Sequence, residues 1–225
     1  MTSAGPEPRS KPKRVTRRRA ETRRRLLEAA LDVFAERGLR GASIEEVCDR
    51  AGYTRGAFYS NFRTLDELLL AVADDRCEQV LERVGEILTD PGLLEGDGDA
   101  VLEKAVDTVL SAMNDDRRWW LVGTELILHA ARDPRAAVEL RRQRDRFTEQ
   151  LIALIVKAVR RAGRTFVTPP EDVVRVIVAL YDGALVQRHL EPDAVAPGQV
   201  ERLALPVLLR RFTRPSAGPS AGSDE

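Results

Sequence analysis

Residues 43–67 constrain this chain more than any other stretch. Ser43 and Glu46, then Gly52, then Thr54, then Thr64 and Glu67 set start and stop signals a few residues apart. Ser or Thr followed three residues later by Glu is a capping box, which satisfies backbone N–H groups that the first helical turn leaves free. The spacing predicts a helix from Ser43 carrying Ile44, Val47, Cys48 and Ala51 on one face, broken at Gly52. Thr54 caps a short helix from Arg55 to about Asn61, with Phe58 and Phe62 turned inward. A longer helix opens at the Thr64/Glu67 box through Leu65, Leu68, Leu69 and Val72 and runs to about Leu88. Ahead of these, Leu27, Ala30, Leu31 and Phe34 mark a helix over Arg17–Glu36, which Gly38 ends. Two short capped helices joined by a tight glycine turn and preceded by a longer helix form a helix-turn-helix.

The rest of the chain also reads as helix. Pro91, Gly92, Gly96 and Gly98 mark a loop, and helices follow over about Ala100–Met113 and Arg117–Arg132. Asp133-Pro134 stops the second of these and starts another that runs to Gly163. Thr168-Pro169-Pro170-Glu171 reads as a capped start for a helix reaching about Leu190. A last helix lies within Pro197–Phe212, kinked or shortened by Pro206. No segment alternates at period two, so the expected fold class is all-α, with about nine helices and no sheet. The expected organisation is a disordered basic arm over residues 1–16, a head over 17–64, a helical body over 65–212 and a disordered tail over 213–225.

The formal net charge of zero hides an asymmetry. Residues 1–63 hold 15 Lys and Arg against 8 Asp and Glu, and residues 64–225 hold 21 against 28. A basic first third on an acidic remainder points to a polyanion partner for the head, or to a solvated basic tail. No apolar run reaches membrane-spanning length and the basic N-terminus has no apolar stretch after it, so no membrane partner is expected. Cys48 and Cys77 have no metal-like spacing, and the expected setting is the reducing cytoplasm. The sequence contains no nucleophile elbow, phosphate-binding glycine loop or metal cluster. The expectation is a chain without cofactor or metal that is not an enzyme.

Residues 22–72 resemble the DNA-binding domain of the tetracycline-repressor (TetR) family. The most specific part is AGYTRGAFYSNF, Ala51–Phe62, with EAALDVFAERG, Glu28–Gly38, supporting it. The resemblance implies double-stranded DNA as partner. Arg55 takes the role of a residue reaching base edges from the start of the recognition helix. Gly56 and Ala57 allow close approach, and Ala57 is placed to touch a thymine methyl. Ser43, Thr54, Tyr59 and Asn61 take phosphate contacts, and Ser60 contacts base or phosphate. Many members of the family have Lys where this chain has Leu65, so Arg63 is the substitute phosphate contact. Arginines among Arg14, Arg17, Arg18 and Arg19 are candidates for a flanking minor groove, or for nonspecific attraction without an ordered contact.

For the C-terminal body the resemblance implies an effector pocket and a dimer interface on the last two helices. Candidate pocket residues are Val106, Leu110, Met113, Trp119, Trp120, Phe147 and Tyr181, each of which reads more readily as plain core than as a ligand contact. Glu125 and His129 lie four apart and share a helix face suited to a polar ligand group; with His189 the only other histidine, a metal is not expected. Arg141, Arg142, Arg144 and Arg146, interleaved with Asp145 and Glu149, read as a solvated face. Candidate interface residues are Val174, Ile177, Val178, Tyr181, Ala184, Leu185, Val200, Leu203, Val207 and Leu208. The expected function is a ligand-responsive repressor that binds a palindromic operator as a homodimer and is released by a small-molecule effector. The alternative is a helical protein-interaction module with a non-functional helix-turn-helix.

Overall fold

The computed structural model describes residues 13–93, 98–113 and 116–216. Among these, nine α-helices follow one another: α1 (Lys13–Arg37), α2 (Ile44–Ala51), α3 (Arg55–Tyr59), α4 (Leu65–Thr89), α5 (Gly98–Ala112), α6 (Arg117–Arg132), α7 (Pro134–Arg161), α8 (Pro170–Leu190) and α9 (Gln199–Phe212).

The hydroxyl half of each capping signal forms as expected, whereas the glutamates of the two boxes turn elsewhere: Glu46 Oε2 accepts from the Ser43 hydroxyl and Glu67 Oε2 from Arg63 N, one residue ahead of the cap. The Ser43, Thr54 and Thr64 hydroxyls accept from the N–H groups of Glu46, Ala57 and Glu67 at 3.2, 3.3 and 3.1 Å. Gly52 ends α2 with φ +71°, a left-handed conformation that a side chain would strain. Leu26 and Val33 of α1, Val47 of α2, Phe58 of α3 and Leu68 of α4 are fully buried against one another. Val122 and Leu126 of α6 enter the same cluster, so the body reaches into the core of the head.

Several boundaries differ from the sequence-based expectation. α1 begins at Lys13, so residues 13–16, expected in the disordered arm, are helical; residues 1–12 lie outside the described residues. Arginine is a good helix former, and Arg19 Nη2 donates to Ser60 O at 3.1 Å, anchoring this end on the last turn of α3. Arg17 and Arg18 are exposed on the same helix. Thr168 does not cap α8: Pro169 holds the cap position, with no side-chain hydrogen bond, and Pro170 opens the helix. Pro206 sits inside a continuous α9.

A small sheet is also present, against the expectation of none. β1 (Arg164–Phe166) pairs antiparallel with β2 (Thr213–Pro215), so residues 213–215, expected in the disordered tail, are ordered. The buried Arg164 guanidinium fixes the pairing, donating to Thr213 Oγ1 at 2.8 Å, Thr213 O at 3.2 Å and Asp99 Oδ1 at 2.8 Å. Residues 217–225 of that tail lie outside the described residues.

In the body α4 runs along α7, α5 packs on α9, and α6 bridges α1 and α7. Among the described residues the body has two apolar clusters, one centred on Val84, Leu88, Leu151 and Val174 and one on Leu102, Val173, Leu205 and Leu209.

Candidate nucleic-acid interface

The outer face of α3 is set by what holds its inner face. Phe58 is fully buried and meets Phe62 at 5.9 Å between ring centroids, while Arg23 of α1 covers the Phe62 ring at 5.0 Å. With that side locked, Thr54, Arg55, Gly56, Tyr59 and Ser60 are exposed and Ala57 is half-exposed. Tyr59 is 52% exposed, its ring standing edge-on to Phe58. Near Gly56 an added Cβ would meet only the Thr54 hydroxyl, so nothing shields the backbone there from a close-approaching duplex.

Arg55 is exposed but oriented. Its Nη1 lies 2.8 Å from Glu45 Oε1 of α2, and it is held in its charged form first by a hydrogen bond with Tyr59 and then by the Glu45 charge. An arginine presented at the start of a short exposed helix is suited to bidentate recognition of a guanine edge.

Other expected contacts are engaged differently. The Ser43 hydroxyl both caps α2 and donates to Glu46 Oε2 at 3.0 Å, which leaves its backbone as the part open to a phosphate. Asn61 is half-buried, its Nδ2 donating to Ala57 O at 2.8 Å, so it secures the end of α3 instead of projecting outward. Ser60 Oγ donates to Gly56 O at 2.8 Å and stays exposed. The Arg63 side chain is exposed beside α4, whose Glu67 accepts from Arg63 N at 2.7 Å.

The body holds a cavity of about 530 Å³ that is partly open to solvent, with the exposed Ile127, Leu128 and Val186 among its lining. Val106, Leu110, Met113, Trp119, Trp120, Phe147 and Tyr181 all line it. Glu125 and His129, placed with them by sequence, do not. Glu125 points toward the head, where its Oε2 accepts from Leu39 N at 2.7 Å just after α1, and a Cβ on Gly38 would crowd its other oxygen at 3.0 Å. A second link lies one end of α6 away: Arg118 Nη1 donates to Asp32 Oδ1 of α1 at 2.6 Å while binding Asp116 at 2.7 Å. Asp116 is held below the usual carboxylate range chiefly by that Arg118 hydrogen bond. Sequence reasoning missed both links, because nothing local distinguishes a carboxylate aimed at another domain from one aimed at solvent.

Arg141, Arg142, Arg144 and Arg146 are exposed, as a solvated face requires, and Arg144 also borders the cavity, 3.7 Å from Asp182 of α8. Cys77 lines it as well, its thiol pushed up to about 11 by burial.

The expected interface residues divide. Val174 is fully buried among Val84, Leu88 and Leu151, and Ala184 is buried too. Ile177, Val178, Tyr181 and Leu185 line the cavity. Val200 and Leu208 are half-buried, whereas Leu203, at 72%, and Val207 are exposed. A second apolar stripe of α8, exposed at Val176, Ala179, Gly183, Val186 and Leu190, is spaced three and four apart like the inward one, and its Val186 also borders the cavity. α8 is apolar on two sides, and sequence periodicity selected the inward side.

A trihelical head exposing the polar face of a short third helix is the arrangement of helix-turn-helix DNA-binding proteins. Residues 26–72 match the model of the bacterial regulatory proteins of the tetR family, and residues 98–212 match the C-terminal domain of BetI-type transcriptional repressors. The chain belongs to the tetR family of DNA-binding transcriptional regulators, which are not enzymes. It is 30% identical over 207 residues to the HTH-type transcriptional regulator CymR of Pseudomonas putida, covering 90% of this chain and 98% of that one. It is 24% identical over 175 residues to the nicotine-responsive transcriptional repressor HdnoR of Paenarthrobacter nicotinovorans, covering 77% of this chain and 86% of that one. In fold it resembles a TetR-family regulator from Mesorhizobium loti, with a TM-score of 0.67 and 18% identity over 87% of this chain and 96% of the other. Among the described residues no helix is long and apolar enough to cross a membrane.

Proposed function

We propose that this regulator is a ligand-responsive repressor, working in the cytoplasm as a homodimer on a palindromic operator. The observation that carries the reading is the double duty of α6. One side of this helix supplies Trp119, Trp120, Gly123 and Thr124 to the cavity wall. Its other side grips the head through Arg118–Asp32 and Glu125–Leu39. A ligand that favours one α6 position therefore favours one head position, and operator affinity falls by its differential binding energy. The nicotine-responsive relative supports a small-molecule effector.

The exposed apolar stripes of α8 and α9 support dimerisation. Leu190 at 68% and Leu203 at 72% exposure, with Val176, Val186 and Val207, lie on neighbouring helices, and burying such a face against its own copy is a two-fold solution. Two copies of α3 then meet successive major-groove turns about 34–36 Å apart or somewhat further. Arg55 reads a base edge, while Thr54, Tyr59, Ser60, Arg63 and the Ser43 backbone hold phosphates.

Selection of bound duplexes from a random pool tests this. The expected product is an inverted repeat bound by a dimer, with affinity falling steeply as salt rises and release by a cavity ligand. Failure to prefer any sequence over random duplex would overturn the operator, and binding as a monomer to a single half-site would overturn the dimer.

A further inference from the structure

An acidic side chain is out of place on a surface that meets phosphates, yet Glu45 stands on this one. It lies in the first turn of α2 and is exposed, and its Oε1 is 2.8 Å from Arg55 Nη1 at the start of α3. Local helix chemistry does not account for it. An acid near a helix N-terminus is favourable, but Glu46 in the same turn already supplies one and also accepts from the Ser43 hydroxyl. Stability does not account for it either, since an ion pair exposed on both sides contributes little.

What Glu45 does is fix Arg55. The guanidinium is held from two sides, by Glu45 on α2 and by the Tyr59 phenol one turn further along α3. It has more N–H groups than these two partners use, so a fork remains for a base edge. The two kinds of target on a duplex then differ. When Arg55 meets a guanine edge, its pair with Glu45 persists and the carboxylate stays neutralised. When Arg55 swings to a phosphate, Glu45 is left unpaired beside the polyanion. Like charges about 4 Å apart in water repel enough to weaken binding about fivefold.

We propose that Glu45 is a specificity-determining residue: it positions Arg55 for a base edge and opposes its diversion to phosphates, lowering affinity for random duplex and raising discrimination at one base pair. This rests on the reading of Arg55 as a base contact.

The full-length protein and its Glu45→Ala, Glu45→Gln, Arg55→Ala and combined Glu45→Ala, Arg55→Ala variants are titrated at one low salt concentration. The duplexes are the selected operator, its single-base-pair variants and random sequence. Arg55→Ala locates the pair that Arg55 reads. Glu45→Ala is expected to bind random duplex about fivefold more tightly and to lose a similar factor of discrimination at that pair. Glu45→Gln keeps the side chain's length without its charge and is expected to shift both readings in the same direction. With Arg55→Ala already in place, Glu45→Ala is expected to leave preference at that pair unchanged. Circular dichroism confirms that each variant is folded, and either Glu45 variant alone suffices. A merely structural role would weaken all duplexes in parallel, and that result overturns the inference. So does unchanged discrimination at the Arg55 pair, or preference lost at a different pair, which would make Glu45 a base contact itself. Arg55→Ala without any change of preference is a separate outcome: it removes the base-reading role of Arg55, and the inference with it.

Discussion

The head and the body are built from the same element, yet they fill space differently. In the head Leu26, Val47, Phe58 and Leu68 reach zero exposure within one buried cluster. In the body the apolar side chains form two clusters, with a cavity of about 530 Å³ along the same helices. The head presents a fixed surface to a fixed partner, so full packing serves it. The body trades dispersion contacts for room, and a void that a ligand fills has two distinguishable states. α6 belongs to both: Val122 and Leu126 lie in the head core, and Leu126 and Trp119, which also packs on that core, line the cavity.

The sharpest way to break this contrast is to truncate one phenylalanine in each region. Phe58→Ala is expected to cost about 3–5 kcal/mol, because a sealed core cannot collapse onto the gap. Phe147→Ala at the cavity wall is expected to cost about 1–2 kcal/mol, since part of its surface already lacks partners. Chemical denaturation measures both, and equal losses would erase the distinction.

A smaller effect concerns the surface the head presents. Arg55→Ala is expected to cost about 1–3 kcal/mol at the selected operator and to relax preference at one base pair. Binding to matched and singly mismatched duplexes measures it; unchanged base preference would remove Arg55 from the reading role.

Next comes the joint between the regions. Glu125→Ala removes the acceptor for Leu39 N and is expected to cost about 1 kcal/mol of stability. Its larger consequence is functional: cavity ligands still quench the tryptophans but release operator less completely. Full release by that variant would show that this hydrogen bond transmits nothing.

The smallest effect is a pH dependence. Asp116, bonded to Arg118, has a folded pKa below its unfolded value. Its contribution is therefore fully present above about pH 4 and is lost as pH falls through the depressed folded value. Asp116→Asn is expected to flatten that part of a melting-temperature profile against pH, and an unaltered profile would place the acid sensitivity elsewhere.

The head was more legible in the sequence than the body, for physical reasons. Caps are local: Ser43, Thr54 and Thr64 bond to N–H groups three residues on, so their spacing alone locates α2, α3 and α4. The phase of α8 is not local. Val174, Ile177, Val178, Tyr181 and Leu185 make one apolar stripe and Val176, Ala179, Gly183, Val186 and Leu190 make another, and only tertiary packing decides which turns inward. The β1–β2 pair leaves no alternation to read in three-residue strands, since the buried Arg164 fixes it from the side. Glu125 and Asn61 were misread alike: each is a polar residue on a helix surface whose partner lies on another element or, for Asn61, back along its own helix.

The most direct test of a body that governs the head is reciprocal binding. The tryptophan signal gives the affinity of a cavity ligand, found by screening small molecules for quenching, with and without saturating operator duplex. Linkage requires operator to weaken ligand binding by the same factor by which ligand weakens operator binding. The expected result is that matched pair of shifts; superimposable ligand titrations with and without operator, for a ligand that fills the cavity, would contradict the coupling through α6.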